Sequence, residues 1–393
     1  MRPRVPRGAG FWVVGATLVA FLAAAGAPTP LYVMYQRALK FSALTLTTIF
    51  AVYALALLLT LLTVGGLSDH VGRRPVLVAS LIVEAASMLV FMRAHSVDGL
   101  LTARILQGLA TGAATGAISA YLIDLAPRDR PTLGPLVNTV GPAVGLTVGA
   151  LLSTLLVQYV ASPESVVFAS LAITFGVLVV VYAFMPEAVA RRPGAVSSLR
   201  PRAGVPAQVR GAFLAVVPCL FATWASAGLY LALGPSLVTS VLGMRNYLLA
   251  GVAVATVTAA GAVTSVAVNK RPARAAMLGG CVVLATGTGL TVLALWLRST
   301  PVFFAGAAVS GVGFGAAFLG AFRSVAQLAT PQDRAELFAT VYIVSYLAFS
   351  VPAVLAGLAA KPLGLRTTAT IYGAVVAALA IAVLPVARVN RPR

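Results

Sequence analysis

The chain has 393 residues, of which 60% are hydrophobic and only 9% are charged, and its mean hydropathy is +0.98. A soluble domain normally carries about 25% charged residues, so this composition excludes an ordinary soluble globular protein. The net charge of +19 does not indicate nucleic-acid binding, because the basic residues stand in short clusters between apolar runs.

Twelve apolar runs follow one another along the chain. A helix needs about 20 apolar residues to cross the roughly 30 Å hydrocarbon core of a bilayer. The runs are too long and too uniformly apolar for barrel strands, and a backbone in lipid must be helical or part of a closed barrel. We therefore predict an all-α polytopic membrane protein. Its twelve predicted spans cover residues 11–32, 44–66, 75–94, 99–123, 134–159, 165–184, 211–235, 247–268, 273–296, 301–328, 335–359 and 367–386.

The longest polar stretch divides these spans into two sets of six. Residues 186–210 are rich in Pro, Gly, Ser and Arg and show no apolar period. We predict an N-terminal six-helix bundle at residues 1–185, a cytoplasmic linker at 186–210 and a C-terminal six-helix bundle at 211–393.

An internal repeat supports two pseudo-symmetric halves. QGLATGAA at 107–114 matches SGVGFGAA at 310–317, and LAPRDR at 125–130 matches LATPQDR at 328–334 with one residue inserted. Parallel six-span repeats with a site between them are a known arrangement in membrane transporters.

The distribution of basic residues predicts the orientation of the chain. Placing the N-terminus inside puts 19 basic residues on the inner side and 7 on the outer side. Inner loops of membrane proteins carry the excess of Lys and Arg, so both termini are predicted to be cytoplasmic. The abundance of Arg, Ala, Gly and Val is typical of GC-rich bacteria, so we expect a multi-pass protein of the bacterial cytoplasmic (inner) membrane.

The short loop between spans two and three reads GGLSDHVGRRP over residues 65–75. Gly65 allows the two helices to approach closely, and Gly72 can adopt the positive φ of a tight turn. Asp69 can face a helix N-terminus or an arginine. Arg73 and Arg74 keep the loop on the inner side.

These residues, together with Leu67, resemble the signature loop of the major facilitator superfamily, glycine-x-leucine-x-aspartate-x-x-glycine-arginine-arginine. The resemblance extends over the whole chain through the twelve-span frame. It implies that the loop is a latch that closes the cytoplasmic side through charge contacts, with Asp124 of span four paired with Arg73. Alternatively, Asp124 forms a surface ion pair and the arginines are only topology signals. The loop at 268–272 keeps the basic residues but lacks the aspartate.

Span four carries a charged residue at membrane depth, where an unpartnered charge is costly. Helical spacing places Arg104, Gln107, Gly108, Thr111 and Thr115 on one face, which we expect to face the bundle interior. The element resembles the arginine-x-x-glutamine-glycine of proton-coupled superfamily members, which implies a role for Arg104 in proton coupling. Alternatively, Arg104 donates structural hydrogen bonds to backbone carbonyls.

Glu84 is the only acid near the middle of the predicted membrane. It stands nine residues into span three, about 14 Å deep at 1.5 Å per residue. A carboxyl at this depth suits a proton carrier, because its charged form is costly there. Span three usually packs on the outside of its bundle in this fold, so Glu84 could equally be a neutral acid bonded to a neighbouring helix.

Proline and glycine interrupt three spans. Pro28 and Pro30 break span one and Pro235 breaks span seven, and paired interruptions indicate gating elements or a solute site. Span five contains Gly141, Pro142 and Gly145, a partial match to the longer pattern of drug–proton antiporters. Side chains that could line a solute cavity, or could simply pack, are Tyr53, Gln107, Thr111, Trp224, Tyr230, Phe314, Tyr342 and Tyr346.

No enzyme chemistry is visible in the sequence. It has no phosphate-binding loop, metal-ligand pair or nucleophile–base set, and ATP is not expected to be used directly. Cys219 and Cys281 stand in apolar runs without a metal or disulfide spacing. We predict no catalytic residues, no metal and no cofactor.

The resemblance implies a secondary active transporter that moves a small organic solute by alternating access. We favour an antiporter for proton-coupled efflux of a drug-like compound or metabolite. The alternatives are a proton-coupled importer or uniporter of a sugar or metabolite, and a transporter-fold sensor without transport. The expected partners are the lipid bilayer, the solute and protons, with no nucleic acid, and the family is mostly monomeric.

Overall fold

The computed structural model describes residues 5–130, 132–190, 192–201, 203–244, 246–327 and 334–389. This part of the chain is helical and contains no strand, which confirms the all-α class. The helices are α1 (Arg7–Gly26), α2 (Pro28–Leu39), α3 (Ala43–Val64), α4 (Ser68–Val71), α5 (Arg73–Met92), α6 (Val97–Leu125), α7 (Leu133–Tyr159), α8 (Pro163–Tyr182), α9 (Ala195–Ser198), α10 (Arg210–Gly228), α11 (Gly234–Ser236), α12 (Tyr247–Ala267), α13 (Ala273–Leu297), α14 (Thr300–Ala326), α15 (Arg334–Leu363) and α16 (Leu365–Val389).

Eleven helical segments in the described part of the chain are long and apolar enough to cross a membrane. They include the continuous segments Arg7–Leu39 and Ala207–Val241, which contain the predicted spans one and seven. Helix α6 contains the predicted fourth span and is 29 residues long, but it is not one of the eleven. Its sequence combines the charged residues Asp98, Arg104 and Asp124 with Gln107 and many Gly and Thr residues, which lower its apolar character. The count of twelve therefore stays a prediction.

The interruptions in spans one and seven follow from their sequences. α1 ends at Gly26 and α2 begins at Pro28, because proline has no backbone N–H to continue the hydrogen-bond ladder. In span seven, π-helical turns at Leu229–Leu233 and Leu237–Val241 flank the short α11, whose second residue is Pro235. Such π-turns often mark functional positions within helices.

By their contacts the residues form two compact units. The N-terminal unit comprises Met1–Leu31 and Val52–Pro201. The C-terminal unit comprises Tyr32–Ala51 and Arg202–Arg393. The Tyr32–Ala51 segment therefore packs with helices that follow it much later in the chain. Within the C-terminal unit the ring of Phe50 lies 4.6 Å from the ring of Phe349, between centroids.

Each unit contains the same glycine-mediated helix contact. A Cβ added to Gly108 of α6 would lie 2.5 Å from the carbonyl oxygen of Tyr53 in α3. The equivalent residue of the repeat, Gly311 of α14, faces Val257 of α12 in the same way, with a Cβ 2.8 Å from that of Ala260. The repeat in the sequence thus corresponds to a repeated helix packing in which only glycine leaves room for the neighbouring backbone.

Gly280 is expected to be essential for the packing of α13 against α14. A Cβ there would lie 2.7 Å from the Cα of Ala317, whereas its neighbour Gly279 has nothing within 4 Å. We expect Gly280→Val to lower stability by about 1–3 kcal/mol, because the two backbones must separate. Gly279→Val makes the same chemical change in the same helix and should leave the melting temperature in detergent near that of the wild type. Equal melting temperatures for both variants would contradict this contact.

Some of the residues used in the sequence-based predictions are not described by the structure. Seven arginines that contribute to the predicted orientation lie outside the described residues: Arg2, Arg4, Arg191, Arg202, Arg245, Arg391 and Arg393. So does most of the second copy of the LAPRDR repeat, residues 328–333.

Candidate functional site

Arg73 is the centre of the loop that resembles the superfamily latch. Its side chain is largely buried and bonds Asp69 four residues earlier. Its Nη1 also donates to Ser68 Oγ at 2.8 Å, and its Nε donates to Asp124 Oδ2 at 3.1 Å. The structure therefore brings Asp69, Arg73 and Asp124 together from the loop and from the end of α6. Arg7 adds a hydrogen bond to the backbone oxygen of Asp124 at 3.0 Å.

Gly72 and Glu187 complete this loop. Gly72 has a φ of +105°, which glycine adopts readily. Glu187 follows α8 and accepts from the backbone N–H of Arg73 at 2.9 Å and of Arg74 at 3.1 Å. A Cβ on Gly72 would lie 2.6 Å from Glu187 Oε2. Glycine at this position therefore permits both the turn and the approach of the carboxylate, which caps the positive end of α5.

The segment after Glu187 also contacts the loop. The backbone N–H of Arg192 donates to the His70 carbonyl at 2.9 Å, and His70 Nδ1 lies 3.0 Å from the Pro193 carbonyl oxygen. The start of the predicted linker is thus docked on the loop between α3 and α5.

We expect Glu187→Gln to loosen this end of α5 by about 1 kcal/mol, the usual worth of a helix cap. Glutamine can accept only one of the two backbone hydrogen bonds, and its NH₂ group faces the other donor. Faster amide hydrogen exchange at Arg192, whose N–H donates to the His70 carbonyl, would report the released segment. Asp129→Asn is the control, because Asp129 is 77% exposed and pairs with the adjacent Arg130 at 3.6 Å. Unchanged exchange at Arg192 in Glu187→Gln would show that the carboxylate does not hold the segment.

A second polar cluster lies inside the N-terminal unit, where Glu84, Arg104 and Gln107 are all buried. Gln107 connects the other two. Its Oε1 accepts from Arg104 Nη1 at 2.5 Å, and its Nε2 donates to Glu84 Oε1 at 3.3 Å. Among the described residues, Glu84 Oε2 has no hydrogen-bond partner. The carboxyl and the guanidinium are therefore joined through one amide.

The side-chain amide of Gln107 also bonds the backbone of span one where that span is interrupted. Gln107 Nε2 donates to the Ala24 carbonyl oxygen at 2.9 Å. In a regular helix that oxygen would accept from residue 28, but Pro28 has no N–H. Arg104 Nη1 donates to the next carbonyl, that of Ala25, at 3.3 Å. Gln107 thus replaces the backbone hydrogen bond that Pro28 removes, and Arg104 adds a second donor at the end of α1.

Aromatic rings surround the guanidinium of Arg104. Its Cζ lies 5.1 Å from the centroid of Tyr53 and 5.7 Å from that of Phe91, within the range of cation–π attraction. Tyr53 and Thr111, both predicted to line a cavity, are buried beside this cluster in the N-terminal unit.

Helix α7 packs against α1 near the same break. Cβ atoms on Gly141 and Gly145 would lie 2.7 Å from Leu18 Cδ2 and 2.6 Å from Leu22 Cβ, so these glycines permit the close approach. Ser153 Oγ of α7 donates to the Ala27 carbonyl oxygen at 2.6 Å. Pro142 lies within this helix.

The remaining predicted cavity residues lie in the C-terminal unit in two settings. Tyr230 is fully buried, and its hydroxyl contacts Thr291 Oγ1 at 2.5 Å and Ser310 Oγ at 3.0 Å. The other residues belong to a half-buried aromatic group on α10, α14 and α15: Trp224, Phe314, Tyr342 and Tyr346. Pro235 is buried in α11.

Sequence reasoning missed Glu187 and the bridging position of Gln107. The chain has only nine acidic residues, and Glu187 stands just after the end of predicted span six. In so apolar a chain, an acid at this position is a signal that it could have a structural or functional partner. In the C-terminal unit Arg323 donates to the carbonyls of Asn269 at 2.7 Å and Arg271 at 3.1 Å. Its α12–α13 loop is thus held by an arginine on α14.

Solved structures of three transporters share this fold. A mutant of the nucleoside transporter NupG aligns with a TM-score of 0.73 at 13% identity, covering 97% of this chain and 100% of that one. The human organic anion transporter MFSD10 (TETRAN) aligns with a TM-score of 0.67 at 18% identity, covering 97% of this chain and 100% of that one. A bacterial homologue of the human lysosomal transporter Spinster, in an inward-facing and unoccupied conformation, aligns with a TM-score of 0.79 at 12% identity, covering 97% of each chain.

Sequence comparison identifies the family. A search by sequence among curated proteins gave no match. The sequence model of the Major Facilitator Superfamily, however, matches residues 13–297, well over half of the chain. Together with the helical fold shared with the three transporters, this match shows that the chain belongs to the Major Facilitator Superfamily.

Proposed function

We propose that this protein is a proton-coupled antiporter that exports small organic compounds across the bacterial cytoplasmic membrane by alternating access. The observation that carries the proposal is the chain of hydrogen bonds from Glu84 through Gln107 to Arg104 and the Ala24 carbonyl. It ties a buried acid, the kind of group that transporters use to carry protons, to a break in a membrane helix.

Protonation of Glu84 changes the strength of these contacts. A charged carboxylate accepts a stronger hydrogen bond from Gln107 than a neutral carboxyl does. Gln107 has two N–H groups, one on Glu84 and one on the Ala24 carbonyl, so its position responds to the state of Glu84. Proton binding thereby biases the geometry at the end of α1, where Pro28 leaves that carbonyl without a backbone donor.

The buried acid that we propose as the proton carrier, Glu84, belongs to the N-terminal unit. The repeat aligns Gln107 with Ser310, and around Ser310 the C-terminal unit has the hydroxyls of Tyr230 and Thr291. A single coupling acid fits exchange of a proton for an uncharged or amphipathic solute. Export is supported by Gly141, Pro142 and Gly145, which resemble part of the antiporter pattern and pack α7 closely on α1.

The direction of proton movement tests the proposal. The purified protein is reconstituted in liposomes that contain pyranine, with equal pH on both sides and the membrane potential clamped. A panel of uncharged aromatic drugs and sugars without titratable groups is then added outside, so that their own permeation moves no proton. For an antiporter, solute entry drives protons out and the lumen becomes alkaline.

The other outcomes separate the alternatives. Acidification of the lumen would indicate symport, and labelled solute that equilibrates without a pH change would indicate a uniporter. Either result would overturn the antiporter proposal. Protein-free liposomes are the control for leakage.

A further inference from the structure

Five aromatic rings form a group within the C-terminal unit, here called the Trp224 cluster: Trp224, Phe314, Phe318, Tyr346 and Phe349. The centroid of Trp224 lies 6.3, 5.5, 5.4 and 5.9 Å from the other four in that order. Phe314 and Phe318 are stacked on each other, and Phe349 is buried while the other rings are half-buried. The rings therefore offer accessible faces at aromatic packing distance.

The cluster contains a hydrogen-bond donor for which no described residue provides an acceptor. Trp224 Nε1 is buried and has no hydrogen-bond partner among the described residues. On α15, Ser345 is fully buried and its Oγ is likewise unpartnered in the described part of the chain. Helical spacing puts Ser345 on the same face as Phe349, four residues later. Buried polar groups in native proteins are nearly always bonded, so each exception requires an explanation.

The other two tryptophans differ from Trp224. Trp12 is 61% exposed at the surface of its unit, and Trp296 is 56% exposed with its Nε1 bonded to Thr370 Oγ1 at 3.1 Å. The donor of Trp224 is thus the one indole N–H among the described residues that is both buried and unused.

The positions of the acidic residues in the C-terminal unit disfavour a cationic ligand in the cluster. The C-terminal unit has two acids, Asp333 and Glu336. Asp333 lies outside the described residues, and Glu336 belongs to the first turn of α15, ten residues before Tyr346. That separation is about 15 Å along a helix, so Glu336 is too far away to neutralise a cation between the rings.

We propose that the Trp224 cluster binds an uncharged, planar aromatic compound that carries a hydrogen-bond acceptor. The ring of the compound packs against Trp224, and its acceptor takes the hydrogen bond from Nε1, with the Ser345 hydroxyl as a second polar contact. This names the solute class of the transporter proposed above and rests on that proposed function.

Three bicyclic probes of nearly equal size test the proposal. Coumarin is neutral with a carbonyl acceptor, naphthalene has no acceptor, and N-methylquinolinium carries a positive charge. Binding to the protein in lipid nanodiscs is measured by calorimetry, with empty nanodiscs to subtract partition into lipid. We expect coumarin to bind the wild type more tightly than the other two.

Two variants examine the donors. Trp224→Phe keeps a ring and removes the N–H, so coumarin should bind about three- to tenfold more weakly, the worth of one hydrogen bond, while naphthalene binding stays unchanged. Trp296→Phe is the matched control and should bind coumarin like the wild type. Ser345→Ala is a smaller change in case the first variant fails to fold, and it should also weaken coumarin binding.

Three results would overturn the proposal: tighter binding of N-methylquinolinium than of coumarin, no coumarin binding, or equal coumarin affinity in the wild type and both cluster variants. Binding is measured at equilibrium without a pH gradient, so its loss is distinct from a failure of proton coupling. Coumarin binding by Glu84→Gln would show that the two sites act separately.

Discussion

Glu84→Gln should reduce solute-driven proton movement at least tenfold. Glutamine has nearly the same shape as glutamate and retains an oxygen that can accept from Gln107, which bonds Glu84 at 3.3 Å. It cannot release a proton, so the solute site persists while the coupling step is lost. In pyranine-loaded liposomes the pH change should disappear. Counterflow of labelled solute, which needs no net proton movement, should stay within about twofold of the wild type.

The matched control for this prediction is Glu164→Gln. It makes the same change in the first turn of α8, outside the cluster. Both the pH change and counterflow should be normal in this variant. Wild-type proton movement in Glu84→Gln would remove Glu84 from the coupling mechanism and leave it a packing role.

Gly357→Ala should disturb the packing of the Tyr32–Ala51 segment on α15. A Cβ at Gly357 would overlap Thr47 Oγ1 and would lie 3.0 Å from the carbonyl oxygen of Ala43. Overpacking of this kind costs about 1–3 kcal/mol, which is roughly five- to 150-fold in a conformational equilibrium. We therefore expect a lower melting temperature in detergent and slower transport.

A double-mutant cycle separates this contact from other effects of the added methyl group. Thr47→Ala removes the overlapping hydroxyl, so the double variant should recover most of the stability lost in Gly357→Ala. Gly289→Ala on α13 is the control, since a Cβ there meets nothing within 4 Å. Gly357→Ala with the same melting temperature as Gly289→Ala would show that the segment does not pack as described.

The loop around Arg73 was accessible to sequence reasoning because its contacts are local. Asp69 and Arg73 are four residues apart, and the positive φ of Gly72 follows from its place in a short turn. The carboxylate of Glu187 is more than one hundred residues away, and spacing alone cannot pair it with this turn. The only signal for Glu187 in the sequence is the scarcity of acidic residues.

The sequence contains enough information to predict which residues of the Glu84 cluster are in direct contact. α5 and α6 are antiparallel neighbours joined by a short loop, so contacting residues lie at similar distances from that loop. Ser87 bonds the carbonyl of Ala103 at 2.9 Å, and Glu84 bonds Gln107. Both pairs are centred near residue 95. Counting outward from the loop therefore selects Gln107, rather than Arg104, as the direct neighbour of Glu84.

The sequence could not have predicted the packing of the Tyr32–Ala51 segment. Its apolar residues are compatible with a membrane helix next to any neighbour. No sequence pattern links the segment with its partners Phe349 and Gly357 in α15. The sequence also could not predict that the Trp224 N–H has no acceptor among the described residues, because this depends on the three-dimensional surroundings of the indole.

The Tyr32–Ala51 segment also constrains how the chain is assembled during synthesis. It emerges from the ribosome about 300 residues before its partners in α15, and domains of a nascent chain normally fold in order from the N-terminus. Until α15 is inserted, Phe50 and the surface that receives Gly357 face lipid or the insertion machinery. The Tyr32–Ala51 segment can therefore reach its final packing only after α15 is inserted. When the chain is cut in the linker, both pieces must be made together to form this packing.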